Sequence, residues 1–255
     1  MEKKILYLLT CVGLCWSSCT NEVDEFIGNV EPSTRSVSTA LNANLASLFT
    51  GGAPTLTSAE IKEVNDAYAK MTSINCYRNI DEAVRNKTSY AGTIFLDDTY
   101  ASAYFRKGSL AFPPYGILAS SMEHEFIHMY QRDVQGKKRD TGMMEFELAF
   151  YQGIIRYIHA GYSWTFKGED GDPSYQSLWT SGLTDPSLIP QYEREFQTYV
   201  ASICANGKPT SIDINEFVKW SNIFGEYSRG YSGKGYKFGN YDYGTSCINS
   251  LLKLY

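Results

Sequence analysis

The chain has 255 residues, of which 43 % are hydrophobic and 20 % charged, with a formal net charge of −5. This suits a globular protein large enough for one catalytic domain with an N-terminal appendage, and the acidic balance excludes the basic face that nucleic-acid binding asks for. Aromatic residues reach 15 %, chiefly from 20 tyrosines; such rings suit core and rim packing, and equally a surface that grips polypeptide or carbohydrate.

The chain opens with Lys3 and Lys4, a short apolar run from Ile5 to Leu14, and the segment Trp16-Ser17-Ser18-Cys19. The apolar run is too short to span a bilayer comfortably, and the layout is that of a secretory signal over residues 1–18. The closing cysteine resembles a bacterial lipobox, with Trp16 standing where an aliphatic residue is usual. The resemblance implies acylation of Cys19 and attachment to the membrane as a cell-envelope lipoprotein, in the outer membrane and facing the periplasm or the cell surface. Thr20 to Glu25 forms an acidic patch like the tag of some surface-exposed lipoproteins, and polar residues 19–40 predict a flexible tether. The folded domain is then expected over 41–255. Of the six cysteines, Cys76, Cys204 and Cys247 remain in it. None has C-x-x-C spacing, so a cysteine metal site is not expected; in an oxidising compartment two of the three can pair.

Thr57 or Ser58 starts a helix that runs to Lys70, with Ile61, Val64 and Tyr68 close to a 3.6 period. A second helical piece is expected over Asn79–Asn86. Gly92 to Leu96 reads as a strand, and Ala101 to Phe112 as another with a turn at Gly108. The run Pro113-Pro114-Tyr115-Gly116 breaks the chain before a helix expected from about Gly116 to Val134, which Gly136 ends. Thr141 caps the next helix, which reaches about His159. Residues 162–185 read as a long loop, 190–206 and 213–227 as helices, 230–245 as a Gly/Tyr-rich loop and 248–254 as a short final helix. The expected fold class is α+β, mostly helical, with a small sheet ahead of the Gly116–Val134 helix.

That helix carries His124-Glu125-Phe126-Ile127-His128, two of the chain's three histidines in the pattern H-E-x-x-H. Positions four apart lie on one helical face, roughly 40° apart and one turn along the axis, so both imidazoles reach one metal ion. Glu125 lies beside them as a general base. A third ligand is needed for zinc, with a fourth position left open. Gln131 stands where a metzincin extension needs glycine, and no histidine follows at the required place. His159, alone near a helix end, reads as structural. The next helix offers Glu145 and Glu147, 17 and 19 residues after His128. They are roughly 200° apart on a helix, so only one of them faces the metal.

The motif followed by a glutamate on a second helix resembles the gluzincin branch of the zincin metallopeptidases, over about residues 92–160. The resemblance implies a zincin-like fold and a Zn2+ ion held by His124, His128 and a glutamate. Glu147 is favoured over Glu145, because it precedes Leu148-Ala149-Phe150 and shares a face with Ile154 and Ile158. The family often places an acid four residues beyond that glutamate to orient a histidine; here Tyr151 stands there, which leaves Gln152 or a backbone carbonyl for the task. Glu125 is the expected catalytic base, the substrate a peptide or protein, and the activity zinc-dependent hydrolysis of peptide bonds. Tyr130, Tyr151 and the tyrosines between 231 and 243 are all open as oxyanion donors. The alternative is a non-enzymatic surface lipoprotein that binds protein or glycan on a zincin-like scaffold. An amidase acting on cell-wall peptide links uses similar chemistry.

Overall fold

A computed structural model describes residues 40–100, 102–137, 141–159, 187, 189–204, 209, 212–227 and 248–255. The expected signal, the acylated Cys19 and the tether to residue 39 lie outside the described residues, as do Cys247 and the expected loops at 162–185 and 230–245.

The described chain begins with a short helix α1, Ala43–Leu48, which the sequence analysis did not anticipate. The side chain of its N-cap Asn42 accepts from the N–H of Asn44. Asn65 on the next helix ties the approach down, accepting from the Asn42 N–H at 2.8 Å and donating to the Ala40 carbonyl at 2.9 Å. That helix, α2, spans Ser58–Ser73 and opens with a capping box, in which Thr57 and Glu60 exchange hydrogen bonds and satisfy two otherwise orphaned donors. It buries Val64, Ala67, Tyr68 and Met71; of the three expected positions Val64 and Tyr68 are buried and Ile61 is half-buried. Helix α3, Asn75–Lys87, follows after Ile74 alone, so it starts four residues ahead of the expected Asn79. A single extended residue is enough to break two helices when each has its own apolar face to bury.

The sheet is small. Strands β1 (Ile94–Leu96), β2 (Tyr104–Arg106) and β3 (Ser109–Phe112) lie in the order β1-β3-β2, with β1 parallel and β2 antiparallel to the central β3. The strand expected within 101–112, with its turn at Gly108, is a hairpin of β2 and β3. Lys107 and Gly108 both have positive φ, 51° and 79°, which is what a two-residue turn matched to strand twist requires. Gly92 lets the chain pass close by: a Cβ there would meet the Gly108 carbonyl oxygen at 2.2 Å.

The motif helix α4, Ala119–Met129, begins later than Gly116 because the backbone is still extended at Leu118. Beyond Met129 it widens into a π-helical turn, Tyr130–Val134, closed by the Gln135 N–H donating to the Tyr130 carbonyl and ended by Gly136 at φ 71°. Helix α5, Thr141–His159, packs against α4 and also against α6 (Ile189–Ile203), α7 (Ile214–Tyr227) and α8 (Ile248–Leu252). Phe146 and Phe150 of α5, Phe196 and Tyr199 of α6, and Phe217 and Trp220 of α7 form one aromatic cluster with centroids 5.1–5.9 Å apart. Many of the aromatic residues are therefore packing. Among the described residues only Tyr100 and Tyr115 are large, apolar and exposed.

The architecture is α+β, mostly helical, with a three-stranded sheet before the motif helix. Cys76 and Cys204 are buried free thiols. No described helix is long and apolar enough to cross a membrane.

Candidate metal centre

Helix α4 presents His124 and His128 one turn apart, with ring centroids 4.7 Å apart and planes at 81°. Their Nε2 atoms approach to 3.1 Å. Glu145 on α5 completes the group. Its Oε1 lies 3.1 Å from His128 Nε2 and its Oε2 lies 3.5 Å from His124 Nε2. One donor atom from each of the three falls within 4.8 Å of the others, so the group can hold a metal ion. Each imidazole faces a different oxygen of Glu145, so the carboxylate spans the two rings. The donor set, two imidazoles and one carboxylate, is also one that zinc accepts. The three side chains keep 17–24 % of their surface exposed, so the cluster opens to solvent on one side, as a site with a free coordination position must.

The structure thus places Glu145, not Glu147, beside the histidine pair, and the sequence preference is corrected on this point. Glu147 is fully buried. It accepts from Gln131 Nε2 at 3.0 Å and sits 3.9 Å from Lys137 Nζ. The apolar neighbours that favoured Glu147 mark the inner face of α5. Glu145, two residues away, lies instead at the partly exposed rim of the helix–helix contact.

The electrostatics follow from this geometry. Burial alone would pull His128 down, but the Glu145 carboxylate and its hydrogen bond push it up to about 9. Burial likewise works against Glu145, yet the two imidazoles hold it at about 2. Without metal the pair is an ion pair. Glu125, adjacent to His124, is 5 % exposed. Burial pushes it up to about 7, with His128 pulling down, Glu145 pushing up, and the Phe105 backbone N–H on β2 donating to its charged form.

Gln131 was read in the sequence only as the residue that breaks the metzincin pattern. It is fully buried in the π-turn. Its Oε1 lies 2.9 Å from His128 Nδ1, while its Nε2 donates to the Met144 carbonyl and to Glu147 Oε2, each at 3.0 Å. The orienting role expected of Gln152 or a backbone carbonyl therefore falls, for His128, to Gln131. Tyr151 is buried with its hydroxyl beside the Cys76 thiol. Tyr130 is buried and its hydroxyl accepts from Gln135. The tyrosines between 231 and 243 and the side chain of His159 lie outside the described residues. Next to the site, Arg132 pairs with Asp133 and stacks 4.3 Å over the Phe105 ring, and Asp133 accepts from Tyr90.

No protein-family model, no curated protein and no solved structure matches the chain.

Proposed function

We propose that this protein is a zinc-dependent hydrolase of peptide bonds, of gluzincin type, with His124, His128 and Glu145 as the metal ligands and Glu125 as the general base. The observation that carries this reading is the convergence of the three donor groups within 4.8 Å of one another beside a buried carboxylate on the same helix. The small sheet, the motif helix and the glutamate on the next helix also follow in the order of a zincin-like fold. Zinc bound there supplies Lewis acidity, which acidifies water and polarises a substrate carbonyl.

The rest is the work of the chain. Glu125, held by the Phe105 N–H and pushed up to about 7, suits both directions of proton transfer near neutral pH. It takes a proton from the attacking water as the carbon–oxygen bond forms. It then returns that proton to the departing nitrogen as the carbon–nitrogen bond breaks. Exposure on one side of the ligand group leaves access for a polypeptide. Export through residues 1–18 and acylation of Cys19 would present this site at the bacterial cell envelope.

The purified domain should contain one equivalent of zinc and cleave casein or a peptide library. Glu125→Gln should abolish cleavage and keep the metal. Full activity in Glu125→Gln would overturn the mechanism. A metal-free domain whose melting temperature is unmoved by chelators would overturn the metal centre.

A further inference from the structure

We infer that Arg132 is a specificity residue of the same site, a held guanidinium that receives a carboxylate of the peptide substrate; this rests on the hydrolase reading above. Its place follows from the π-turn. In a regular α-helix each step of four residues drifts by roughly 40°, so Arg132 would stand roughly 80° round from His124. Here the Gln135 N–H closes the turn Tyr130–Val134 on the Tyr130 carbonyl. Such an i→i+5 turn is wider than an α-turn, so it takes back part of that drift. Arg132 is thereby returned toward the line of His124 and His128, one turn beyond the second ligand. A further contact sets it on the side of the general base. The guanidinium lies 4.3 Å over the ring of Phe105, the residue whose backbone N–H holds Glu125, and the Arg132 charge is felt at that carboxylate.

The guanidinium is held without being used up. Asp133 accepts from Arg132 Nε at 2.9 Å and from its Nη2, and also from the Tyr90 hydroxyl, which lies ahead of β1. An ion pair between neighbours in the chain joins no two elements and adds little to the fold by itself. Anchored through Tyr90, it fixes where the guanidinium points. Arginine carries five N–H donors. Two go to Asp133 and the Tyr90 hydroxyl engages a third, which leaves two without a partner among the described residues. The side chain keeps 37 % of its surface exposed, so those donors can be reached. Two N–H groups of one planar fork match the two oxygens of a carboxylate. With Phe105 against one face and Asp133 along one edge, little side-chain freedom is left to lose on binding.

A peptide offers such a carboxylate on an acidic side chain or at its C-terminus. Otherwise neutral decapeptides with a central Glu or Gln, each made with a free and an amidated C-terminus, separate the two sources. In kcat/KM the wild type should favour a carboxylate-bearing peptide over its neutral twin by about 10–100-fold, the worth of a hydrogen bond to a charged group. A preference that follows Glu assigns the side chain, and one that follows the free acid assigns the terminus. Arg132→Gln should abolish the preference with its zinc content unchanged, and Arg132→Lys should keep part of it, since an ammonium has the charge without the fork. No preference in the wild type, or one that survives Arg132→Gln, would overturn the inference. Should the Gln variant fail to fold, arginine side-chain proton–nitrogen spectra of metal-free wild type decide. The Arg132 Nε–H signal, assigned by its loss in Arg132→Lys, should move with the Glu or free-acid peptide and stay in place with the Gln amide; a signal that no carboxylate moves would overturn the inference as well. An inactive wild type whose Arg132 signal still follows the carboxylate would sink the hydrolase reading and leave this site standing, whereas an active one without preference would sink only this site.

Discussion

Glu145→Gln keeps the size of the side chain and removes its charge, and in the metal-free protein the consequence should appear on His128. Burial acts to lower that imidazole from its ordinary 6.5, yet Glu145 Oε1 at 3.1 Å raises it to about 9. A rise of that size is worth about 3 kcal/mol in favour of the charged ring, and the same attraction, seen from the other partner, takes Glu145 from 4.5 to about 2. The sign follows from linkage. His128 has a folded value above its unfolded one, so its contribution is full below about pH 6.5 and is lost as pH rises through about 9. Glu145 has a depressed value, so its contribution is full above about pH 4.5 and is lost as pH falls toward 2. The metal-free ion pair therefore stabilises the fold most between these limits. Nuclear magnetic resonance titration of the histidines should show the His128 midpoint falling by about 2 units in Glu145→Gln, because burial persists and the counter-charge is gone. Glu147→Gln should move it by less than about 1 unit, since Glu147 touches Gln131 and not the ring. A midpoint near 9 in Glu145→Gln would refute the assignment of Glu145 to the histidine pair. Since a metal ion must displace the His128 proton, affinity in the wild type should also climb about tenfold per pH unit up to about pH 9.

Glu125→Gln should stabilise the metal-free domain at pH 8 by up to about 3 kcal/mol, because burial has pushed this carboxyl from 4.5 to about 7, so stability is lost progressively as the pH rises from about 4.5 and the loss is complete above about 7; urea unfolding should show the gain at pH 8 and little of it at pH 5, and a pH-independent effect would contradict it. Gly92→Ala should cost about 3 kcal/mol and lower the melting temperature sharply, since the new methyl would lie 2.2 Å from the Gly108 carbonyl oxygen and 2.3 Å from Ser109 Oγ. Tyr68→Phe should cost about 1–3 kcal/mol in denaturant unfolding, because its hydroxyl donates at 2.8 Å to the buried Asp81, whose other oxygen has no hydrogen-bond partner among the described residues.

Much of the fold was legible because its signals are local. The helix start at Thr57 or Ser58, the Val64 and Tyr68 positions of α2, the turn at Gly108 and the stop at Gly136 each depend on a few adjacent residues, and each stands where the pattern indicates. The start of α3 was not legible, since Asn75 to Arg78 has no cap and becomes helical because Cys76 and Tyr77 are buried there. Helix α1 was missed for a similar reason. It is six residues long, below the length at which periodicity is readable, and is held by Asn65 from another element. The motif helix was placed, but its π-turn was not, because hydrophobic spacing does not distinguish a widened turn from a loop.

The two glutamates of α5 show where such reading stops. Sequence spacing established that only one of Glu145 and Glu147 could face the histidines, and the structure agrees. The choice between them was made on apolar company, a criterion that finds the buried face of a helix. A catalytic metal has the opposite requirement, since its ligands must lie where the packed interface meets solvent. Glu145 keeps about a quarter of its side chain exposed and Glu147 none. The inner position suits an orienting group that works dry, through Gln131, and the outer one suits a ligand beside an open coordination site. On this argument the H-E-x-x-H helix needs both acids of the next helix, each on the side where its environment supports its role. Removing both should then be worse than removing either: the double variant Glu145→Gln, Glu147→Gln should bind zinc more weakly than either single variant, and the wild-type affinity should not return when a carboxylate is restored at position 147 alone.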